Sequence, residues 1–281
     1  MKIVKTIKQV RRAVALQKKQ GKRIGFVPTM GALHQGHLSL IRLAKKNSDF
    51  VVVSIFVNPT QFGPKEDFKK YPRDLKKDAA LCQSAGADLI FFPNVKEVYP
   101  EGFSTFINVE GLTQGLCGAS RPGHFKGVAT VVSKLFNIVQ PDVAVFGQKD
   151  AQQLAVIRQM TKDLDLPVKI IGAPIVRERD GLAMSSRNAY LTLEERAEAP
   201  ALYRALLKAK ALADSGQGTA DRIKSEIKKI LYRDAPLGEI DYIEIVDNET
   251  LKPVKRVQKN TLIALAVKFP SARLIDNIIG A

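Results

Sequence analysis

The sequence predicts an α/β fold, a parallel sheet covered by helices on both faces, followed by a smaller α+β domain. Three observations support this prediction. Short Val-, Ile- and Phe-rich runs alternate with helical patterns up to Pro174. These runs are almost continuously apolar, as is typical of strands buried on both faces. After Pro174 the pattern changes to helices followed by strands that alternate polar and apolar residues, which is typical of a separate α+β unit.

The first part of the chain alternates strand and helix in a regular order. The predicted strands are 24–28, 51–57, 88–92, 142–146 and 168–172, and the predicted helices are 38–46, 73–85, 127–139 and 150–164. Right-handed crossovers between such strands produce a doubly wound, Rossmann-like sheet. Ligands of these sheets bind at the carboxyl ends of the strands, so we expect the functional residues in the loops that follow them.

The second part of the chain, residues 175–281, is predicted to be a smaller α+β domain, with residues 1–174 forming the first domain. A long helix is expected to begin near Thr192, because Thr-Leu-Glu-Glu is a capping-box signal, and to end near Gly216. A second helix is predicted over 220–231. Strands are predicted over 240–246 and 262–267, the first of which alternates as a half-buried strand does.

Composition and charge exclude several classes of protein. The 281 residues are 45% hydrophobic, and 44 basic against 28 acidic residues give a net charge of +16. The chain has two cysteines, no apolar run near the ~20 residues of a membrane helix, and no secretory signal pattern at its start. Aromatic residues make up 7% and are not interleaved with the scattered lysines. We therefore expect a soluble, cytoplasmic protein with neither a membrane nor a nucleic acid as partner.

The first motif whose residues could bind a ligand or take part in catalysis is PTMGALHQGH, which occupies residues 28–37 after the opening strand. His37 stands where a phosphate-binding loop would have Lys, so a loop of that type is not supported. A Gly-rich turn at a helix start still directs backbone N–H groups toward an anion. His34 and His37 lie three residues apart and therefore share a helix face. The spacing leaves a phosphate site, a pair of capping or core histidines, and a zinc pair as alternatives; His124 is the remaining histidine.

Three further polar motifs follow predicted strands or the domain boundary. Asn58 and Gln61, in FVNPTQFG, are neutral hydrogen-bonding groups suited to a small hydroxy acid; the alternative is an Asn-Pro turn. Lys149, in FGQKD, could reach a phosphate, and Asp150 could cap a helix. The motif LAMSSRN, residues 182–188, combines hydroxyls with an Arg and predicts either an anion clamp or a hinge loop.

Five motifs in register, PTMGALHQGH, NPTQF, RPGHFKGVATVV, FGQKDAQQ and DGLAMSSRN, closely resemble the pantothenate synthetase (pantoate–β-alanine ligase) family. The first is similar to the HxGH motif of nucleotidylyl transferases, and MSSRN is similar to their KMSKS loop. The resemblance runs over nearly the whole chain, without departure at a functional motif position. It implies ATP-dependent condensation of pantoate with β-alanine through pantoyl adenylate, with release of AMP and pyrophosphate. It also implies a Mg²⁺ requirement, a homodimer, and a carboxy-terminal lid that protects the adenylate from water.

The resemblance also implies a set of site residues. His34, His37 and Lys149 would be catalytic. Gln61 and Gln153 would hold pantoate, Gln61 would also meet β-alanine, Asn58 would line the same pocket, and Arg121 would lie at its mouth. Mg²⁺ would accompany ATP without ligands from the protein. The residues expected to bind ATP, with Asp150 toward the ribose and the Val176 backbone toward adenine, are Met30, Gly31, Ala32, Leu33, His34, Gln35, Gly36, His37, Gly147, Gln148, Lys149, Asp150, Val176, Met184, Ser185, Ser186 and Arg187.

Two other functions compete with this interpretation. One is a different HxGH nucleotidylyl transferase that joins a nucleotide to a phosphate-bearing acceptor. The neutral residues Asn58, Gln61 and Gln153 disfavour it, because phosphate acceptors usually require more Arg or Lys. The other is a basic nucleic-acid-binding module, which the net charge permits but the scattered arrangement of that charge does not indicate.

Overall fold

Two sheets organise the computed structural model, which describes residues 1–64 and 66–280. The first sheet has six parallel strands and the second has three antiparallel strands. Helices flank the parallel sheet, and the antiparallel sheet lies in the carboxy-terminal part of the chain. The predicted fold class is therefore confirmed.

The strand order of the parallel sheet reverses next to β2. Its spatial order is β1-β4-β3-β2-β5-β6, so β2 lies between β3 and β5. The loops after β2, β3 and β5 therefore leave the same edge of the sheet at a topological switch point, where sheets of this kind bind ligands. The strands are β1 Lys2–Val4, β2 Ile24–Thr29, β3 Phe50–Ile55, β4 Leu89–Phe91, β5 Val143–Gly147 and β6 Lys169–Ala173.

Burial on both faces of this sheet explains why its strands are continuously apolar. Phe26 of β2 contacts Phe136 edge-on, with ring centroids 6.3 Å apart, whereas its neighbour Val27 belongs to the opposite apolar cluster with Leu38 and Ile41. Successive side chains of a strand point to opposite faces, so both faces need apolar residues. The helices are α1 Ile7–Lys19, α2 Gln35–Asn47, α3 Leu75–Ser84, α4 Val95–Val98, α5 Cys117–Ser120, α6 His124–Val139 and α7 Ala151–Asp163.

The carboxy-terminal part of the chain packs helices against the antiparallel sheet. Leu202 and Leu206 from one helix, Ile227 from another, and Ile263 and Leu265 from the central strand form one buried cluster. The helices are α8 Leu193–Glu198, α9 Ala201–Leu212 and α10 Ala220–Asp234, and the strands are β7 Glu239–Asp247, β8 Thr261–Lys268 and β9 Arg273–Ile279.

Local departures from the predicted elements have physical causes. The capping box at Thr192 is present, since its hydroxyl accepts from the Glu195 N–H at 3.2 Å and its own N–H donates to Glu195 Oε2 at 2.8 Å. The helix it starts ends at Glu198 and a new one begins after Pro200, because proline lacks the N–H that would continue the first helix. β1, α1 and β9 were not predicted from the sequence, and Asp276 and Asn277 interrupt the apolar pattern of β9.

The described chain divides into two compact units, each assembled from several segments. The first unit contains residues 1–113, 121–148 and 156–174, and the second contains 114–120, 149–155 and the residues from 175 onward. The predicted division at residue 174 stays a prediction. Within the described ranges, no helix combines the length and the apolar character that crossing a membrane requires.

Candidate active site

The turn after β2 is shaped by a buried carboxylate on α3. The Asp78 side chain accepts hydrogen bonds from the Ala32 N–H at 3.0 Å and from the Leu33 N–H at 2.8 Å. Gly31 has φ +85°, and a Cβ there would lie 2.8 Å from Asp78 Oδ2, so the turn requires glycine at this position. Ala32 also has a positive φ, +52°, an unfavourable conformation that the hydrogen bond to Asp78 helps to hold.

The Asp78 carboxylate accepts hydrogen bonds from backbone N–H groups that the sequence had suggested would bind an anion. The Gly31 N–H donates to Thr29 Oγ1 at 3.3 Å, so the backbone donors of Gly31, Ala32 and Leu33 are all engaged within the protein. Burial raises the pKa of Asp78 above its ordinary value, and the two backbone hydrogen bonds oppose that shift only in part. An anion that binds beside this turn must therefore rely chiefly on other donors.

Hydrogen bonds within the protein fix the orientation of the His34 and His37 rings. His34 caps α2: its Nδ1 accepts from the Gly36 N–H at 3.1 Å, and the His37 Nδ1 accepts from the His34 N–H at 3.3 Å. The ring centroids are 4.1 Å apart. Since Nδ1 is the acceptor in both rings, the proton of each neutral imidazole lies on Nε2. The capping role left open by the spacing is thus present at Nδ1 of both rings.

The turn after β3 is held by Asn58, a residue that is 1% exposed. Its Nδ2 donates to the Gly127 carbonyl at 3.1 Å and to Gln61 Oε1 at 3.2 Å, and its Oδ1 accepts from the Tyr99 hydroxyl at 2.8 Å. The Asn-Pro turn that the sequence left as an alternative is also present, since Asn58 caps the 3-10 turn Pro59–Gln61. Gln61 Nε2 lies 2.8 Å from Met30 Sδ. These contacts bring Gln61 next to the turn that follows β2.

Gly127 of α6 permits this arrangement, and its replacement gives a test. A Cβ at this position would lie 2.2 Å from the Thr60 carbonyl oxygen and 2.7 Å from the Gln61 nitrogen. Because both neighbours are backbone atoms, Gly127→Ala is expected to displace the Pro59–Gln61 turn and to lower the free energy of unfolding by about 1–3 kcal/mol. Chemical denaturation measures this change. Gly115→Ala, whose Cβ would meet nothing within 4 Å, serves as the control, and equal stability of the two variants would contradict the expectation.

The Arg121 side chain links Glu66 to the backbone of Gln61. Its Nε and Nη2 donate to the two Glu66 carboxylate oxygens, each at 2.7 Å, and Nη2 also lies 3.3 Å from the Gln61 carbonyl oxygen. His124 approaches that same oxygen through Nδ1 at 2.8 Å and contacts Arg121 through Nε2 at 3.1 Å. Burial would raise the pKa of Glu66, but Arg121 outweighs it, so the pKa of this carboxyl is lowered. Most donors of the guanidinium are thereby used within the protein.

The second unit contains the remaining predicted site residues from position 149 onward. Residues Gln148–Asp150 form a 3-10 turn before α7, and the Lys149 carbonyl accepts from Asn277 Nδ2 at 2.8 Å. The Met184 N–H donates to the Val176 carbonyl at 3.0 Å, so these two predicted nucleotide contacts lie across one hairpin. Ser185 caps the turn Ser186–Tyr190 by accepting from the Arg187 N–H at 3.2 Å. Asp150 is exposed, and Gln153 is partly buried near the start of α7.

Comparison with known proteins identifies the family. The Pantoate-beta-alanine ligase family model matches residues 2–279. The chain belongs to this family. It is 56% identical over 279 residues to the pantothenate synthetase of Heliobacterium modesticaldum and 54% identical to that of Acetivibrio thermocellus, with 99% of each chain covered. The resemblance stated from the motifs is thus confirmed.

Solved structures agree with this assignment. The pantothenate synthetase of Thermus thermophilus is 51% identical, with a TM-score of 0.94 and 99% of both chains covered. The pantoate-beta-alanine ligase of Francisella tularensis, solved in complex with beta-gamma ATP and beta-alanine, is 37% identical with a TM-score of 0.82, covering 99% of this chain and 97% of that one. The alternative of another nucleotidylyl transferase acting on a phosphate-bearing acceptor is not favoured by these matches.

Several residues with a structural part in the site were not found from the sequence. Asp78 lies in a polar helix pattern, and its spacing from Ala32 along the chain gives no signal of contact. Glu66 acts through the Arg121 guanidinium, and His124 acts through that guanidinium and the Gln61 carbonyl oxygen. The contacts of Glu66 with Arg121 and of His124 with Gln61 join segments that are distant in sequence. The available sequence clue to Asp78 was its spacing, three residues after Leu75 and four before Cys82, which places it on the apolar face of α3.

Proposed function

We propose that this member of the pantoate–β-alanine ligase family condenses pantoate with β-alanine in two steps at the expense of ATP. In the first, the pantoate carboxylate attacks the α-phosphorus, the bond to the bridging oxygen breaks, and pyrophosphate leaves. In the second, the β-alanine amine attacks the acyl carbon of pantoyl adenylate, AMP leaves with the bonding electrons, and the amine loses a proton. The observation that supports the proposal best is that Nδ1 of both His34 and His37 accepts a backbone hydrogen bond at the switch point of the sheet, which directs the proton of each neutral ring to Nε2.

The two imidazoles suit the first step because negative charge builds on the transferred phosphate and on pyrophosphate as the bonds change. Donors already held in place stabilise such charge without reorganising during the reaction. Asp78 fixes the turn before them, and the Nδ1 hydrogen bonds fix both ring planes. We propose that His37 also gives a proton to the leaving pyrophosphate. In this scheme Lys149 binds phosphate oxygens, and the positioning of substrates replaces covalent catalysis by the enzyme.

We propose that pantoate binds through the amides of Gln61 and Gln153, and that Gln61 also meets β-alanine. The side chains of Asn58 and Arg121 are occupied by contacts that hold Gln61 and its backbone. We therefore infer that these two residues act on pantoate through Gln61 and do not touch it. The turn 30–37, residues 147–150, Val176 and the segment 184–187 remain the proposed ATP contacts, and the lid action of the carboxy-terminal domain also remains a proposal.

Mg²⁺ is proposed to arrive with ATP. Among residues 1–64 and 66–280, no group of three or more His, Cys, Asp or Glu side chains is placed to hold a metal ion. Mg²⁺ commonly binds substrate phosphates and keeps several waters, so it does not require such a group. When bound, the ion would neutralise phosphate charge.

AMP formation tests the proposed function directly. The expected result is pyrophosphate from ATP when pantoate is present, with AMP and pantothenate formed over multiple turnovers only when β-alanine is added. Release of ADP, or pyrophosphate release with a phosphorylated acceptor in place of pantoate, would contradict it. A salt-dependent mobility shift with random RNA and no ATP turnover would instead support the nucleic-acid-binding alternative.

Gln61→Ala is expected to impair pantoate use selectively. Removing the amide leaves polar groups of pantoate unpaired, which corresponds to about 1–3 kcal/mol and therefore to a roughly 10- to 100-fold increase in the KM for pantoate. The KM for ATP is expected to change by less than about threefold. Steady-state kinetics with each substrate varied in turn measure both values. Equal losses for all three substrates together with a lower midpoint of unfolding would show a structural role instead.

The oligomeric state and cellular location remain predictions. We propose a homodimer, as the resemblance implies, and light scattering coupled to size-exclusion chromatography tests it through the mass relative to the 30.9 kDa chain. The cytoplasmic location is proposed from the biosynthetic reaction.

A further inference from the structure

A polar pair interrupts the apolar pattern of β9. Asp276 and Asn277 lie between Leu274 and Ile278 and are only 2% and 5% exposed. Burying polar side chains is costly unless their hydrogen-bonding groups are satisfied. The hydrogen-bond partners of these two side chains therefore indicate what the pair does. The proposed reaction assigns neither residue a role.

Asn277 holds the main chain at Lys149. Its Nδ2 donates to the Lys149 carbonyl oxygen at 2.8 Å, although 128 positions separate the two residues in sequence. The Asn277 backbone N–H donates to Asp276 Oδ1 at 2.8 Å, which fixes the orientation of the neighbouring carboxylate. The short 3-10 turn that contains Lys149 is therefore tied to the antiparallel sheet by one amide.

Asp276 is fixed in turn by Arg177. The guanidinium donates to both carboxylate oxygens, at 2.6 and 3.0 Å, and lies 3.6 Å from the centroid of the Tyr203 ring. Burial raises the pKa of Asp276, while the charges of Arg177 and Lys149 are among the opposing influences. Gly181 allows the close packing, since a Cβ there would lie 2.5 Å from Tyr203 Cδ1. Arg177 also follows Val176 directly, so the same carboxylate anchors a second proposed nucleotide segment.

We propose that Asn277 is a positioning residue for Lys149, and that the Asp276–Arg177 pair anchors it. In this arrangement the hydrogen bond from Asn277 fixes the backbone of Lys149. The ammonium group then reaches the ATP phosphates from that fixed backbone. The inference rests on the proposed role of Lys149 in ATP binding. It extends that role by naming the group that places the lysine.

Asn277→Asp tests the inference with little change in shape. A carboxylate oxygen then faces the Lys149 carbonyl and the donor is lost, so the KM for ATP is expected to rise about tenfold or more, the effect of losing one hydrogen bond. The KM for pantoate is expected to stay within about twofold. Asn260→Asp makes the same chemical change at an exposed position and is the matched control.

A double-mutant cycle separates positioning from general damage. If Asn277 acts through Lys149, then Asn277→Asp adds little to the ATP defect of Lys149→Ala. Fully additive effects, equal increases in all three KM values, or an Asn277→Asp enzyme as active as Asn260→Asp would overturn the inference. Failure of the proposed function is distinguishable, because then the unmodified chain itself forms no AMP from ATP, pantoate and β-alanine.

Discussion

His37→Ala is expected to lower the single-turnover rate of pantoyl adenylate formation by about 10²–10³-fold, the usual effect of removing one preorganised transition-state donor. The His37 Nδ1 is fixed by the His34 N–H, so its Nε2–H has a defined direction that alanine cannot reproduce. Rapid quench of enzyme mixed with ATP and pantoate, without β-alanine, measures this step apart from amide formation. Lys149→Ala is expected to cause a loss of similar size through the missing positive charge.

A second variant at His37 distinguishes hydrogen bonding from proton transfer. In His37→Gln, an amide N–H lies near the position of the imidazole Nε2 but cannot deliver a proton to pyrophosphate. Recovery of most of the activity would assign His37 a hydrogen-bonding role alone, whereas a loss equal to that of His37→Ala supports proton donation. An adenylation rate near that of the unmodified enzyme in His37→Ala would reject both roles.

Asp78→Ala is expected to cost about 2–5 kcal/mol of unfolding free energy and to reduce adenylation strongly. The substitution leaves the Ala32 and Leu33 N–H groups without their acceptor in a buried turn and opens a cavity. Denaturant unfolding and single-turnover kinetics measure the two effects. Asp74→Ala is the control on the same helix, because this exposed cap is expected to cost only about 1 kcal/mol. Similar values for the two variants would contradict the role given to Asp78.

The raised pKa of Asp78 also predicts a pH dependence of stability. Burial raises this pKa above the ordinary 3.8, so the folded protein binds the proton more tightly than the unfolded chain. Its contribution is fully present below about pH 3.8 and is lost as the pH rises through the folded pKa. Asp78→Asn cannot titrate, so the stability of the unmodified protein relative to this variant is expected to fall over that range. Parallel pH profiles of the two proteins would contradict the shift.

The fold was largely predictable because the parallel sheet needs apolar residues on both faces. That requirement left continuous runs such as Val51–Val53, which stand out in sequence. β9 was missed because Asp276 and Asn277 serve distant partners and interrupt the apolar pattern. The break at Pro200 was missed because the capping box at Thr192 signals where a helix starts and carries no information on its length.

Within the candidate site, the proximity of two side chains was predictable where both lie in one motif. His34 and His37 are separated by one helical turn, so their proximity follows from local geometry. Asp78 lies 45 positions from Leu33, and such a contact depends on the packing of a helix against a turn. The sequence therefore suggested an anion as the acceptor for backbone N–H groups of this turn, whereas in the folded chain the Ala32 and Leu33 N–H groups donate to Asp78.

A crystal structure of this protein with pantoate, Mg²⁺ and a non-hydrolysable ATP analogue tests the central claim most directly. We predict phosphate oxygens within hydrogen-bond distance of Nε2 of both His34 and His37, with Asp78 still bound to the Ala32 and Leu33 N–H groups. Phosphates that displace Asp78 from those N–H groups, or that lie away from both imidazoles, would contradict the account.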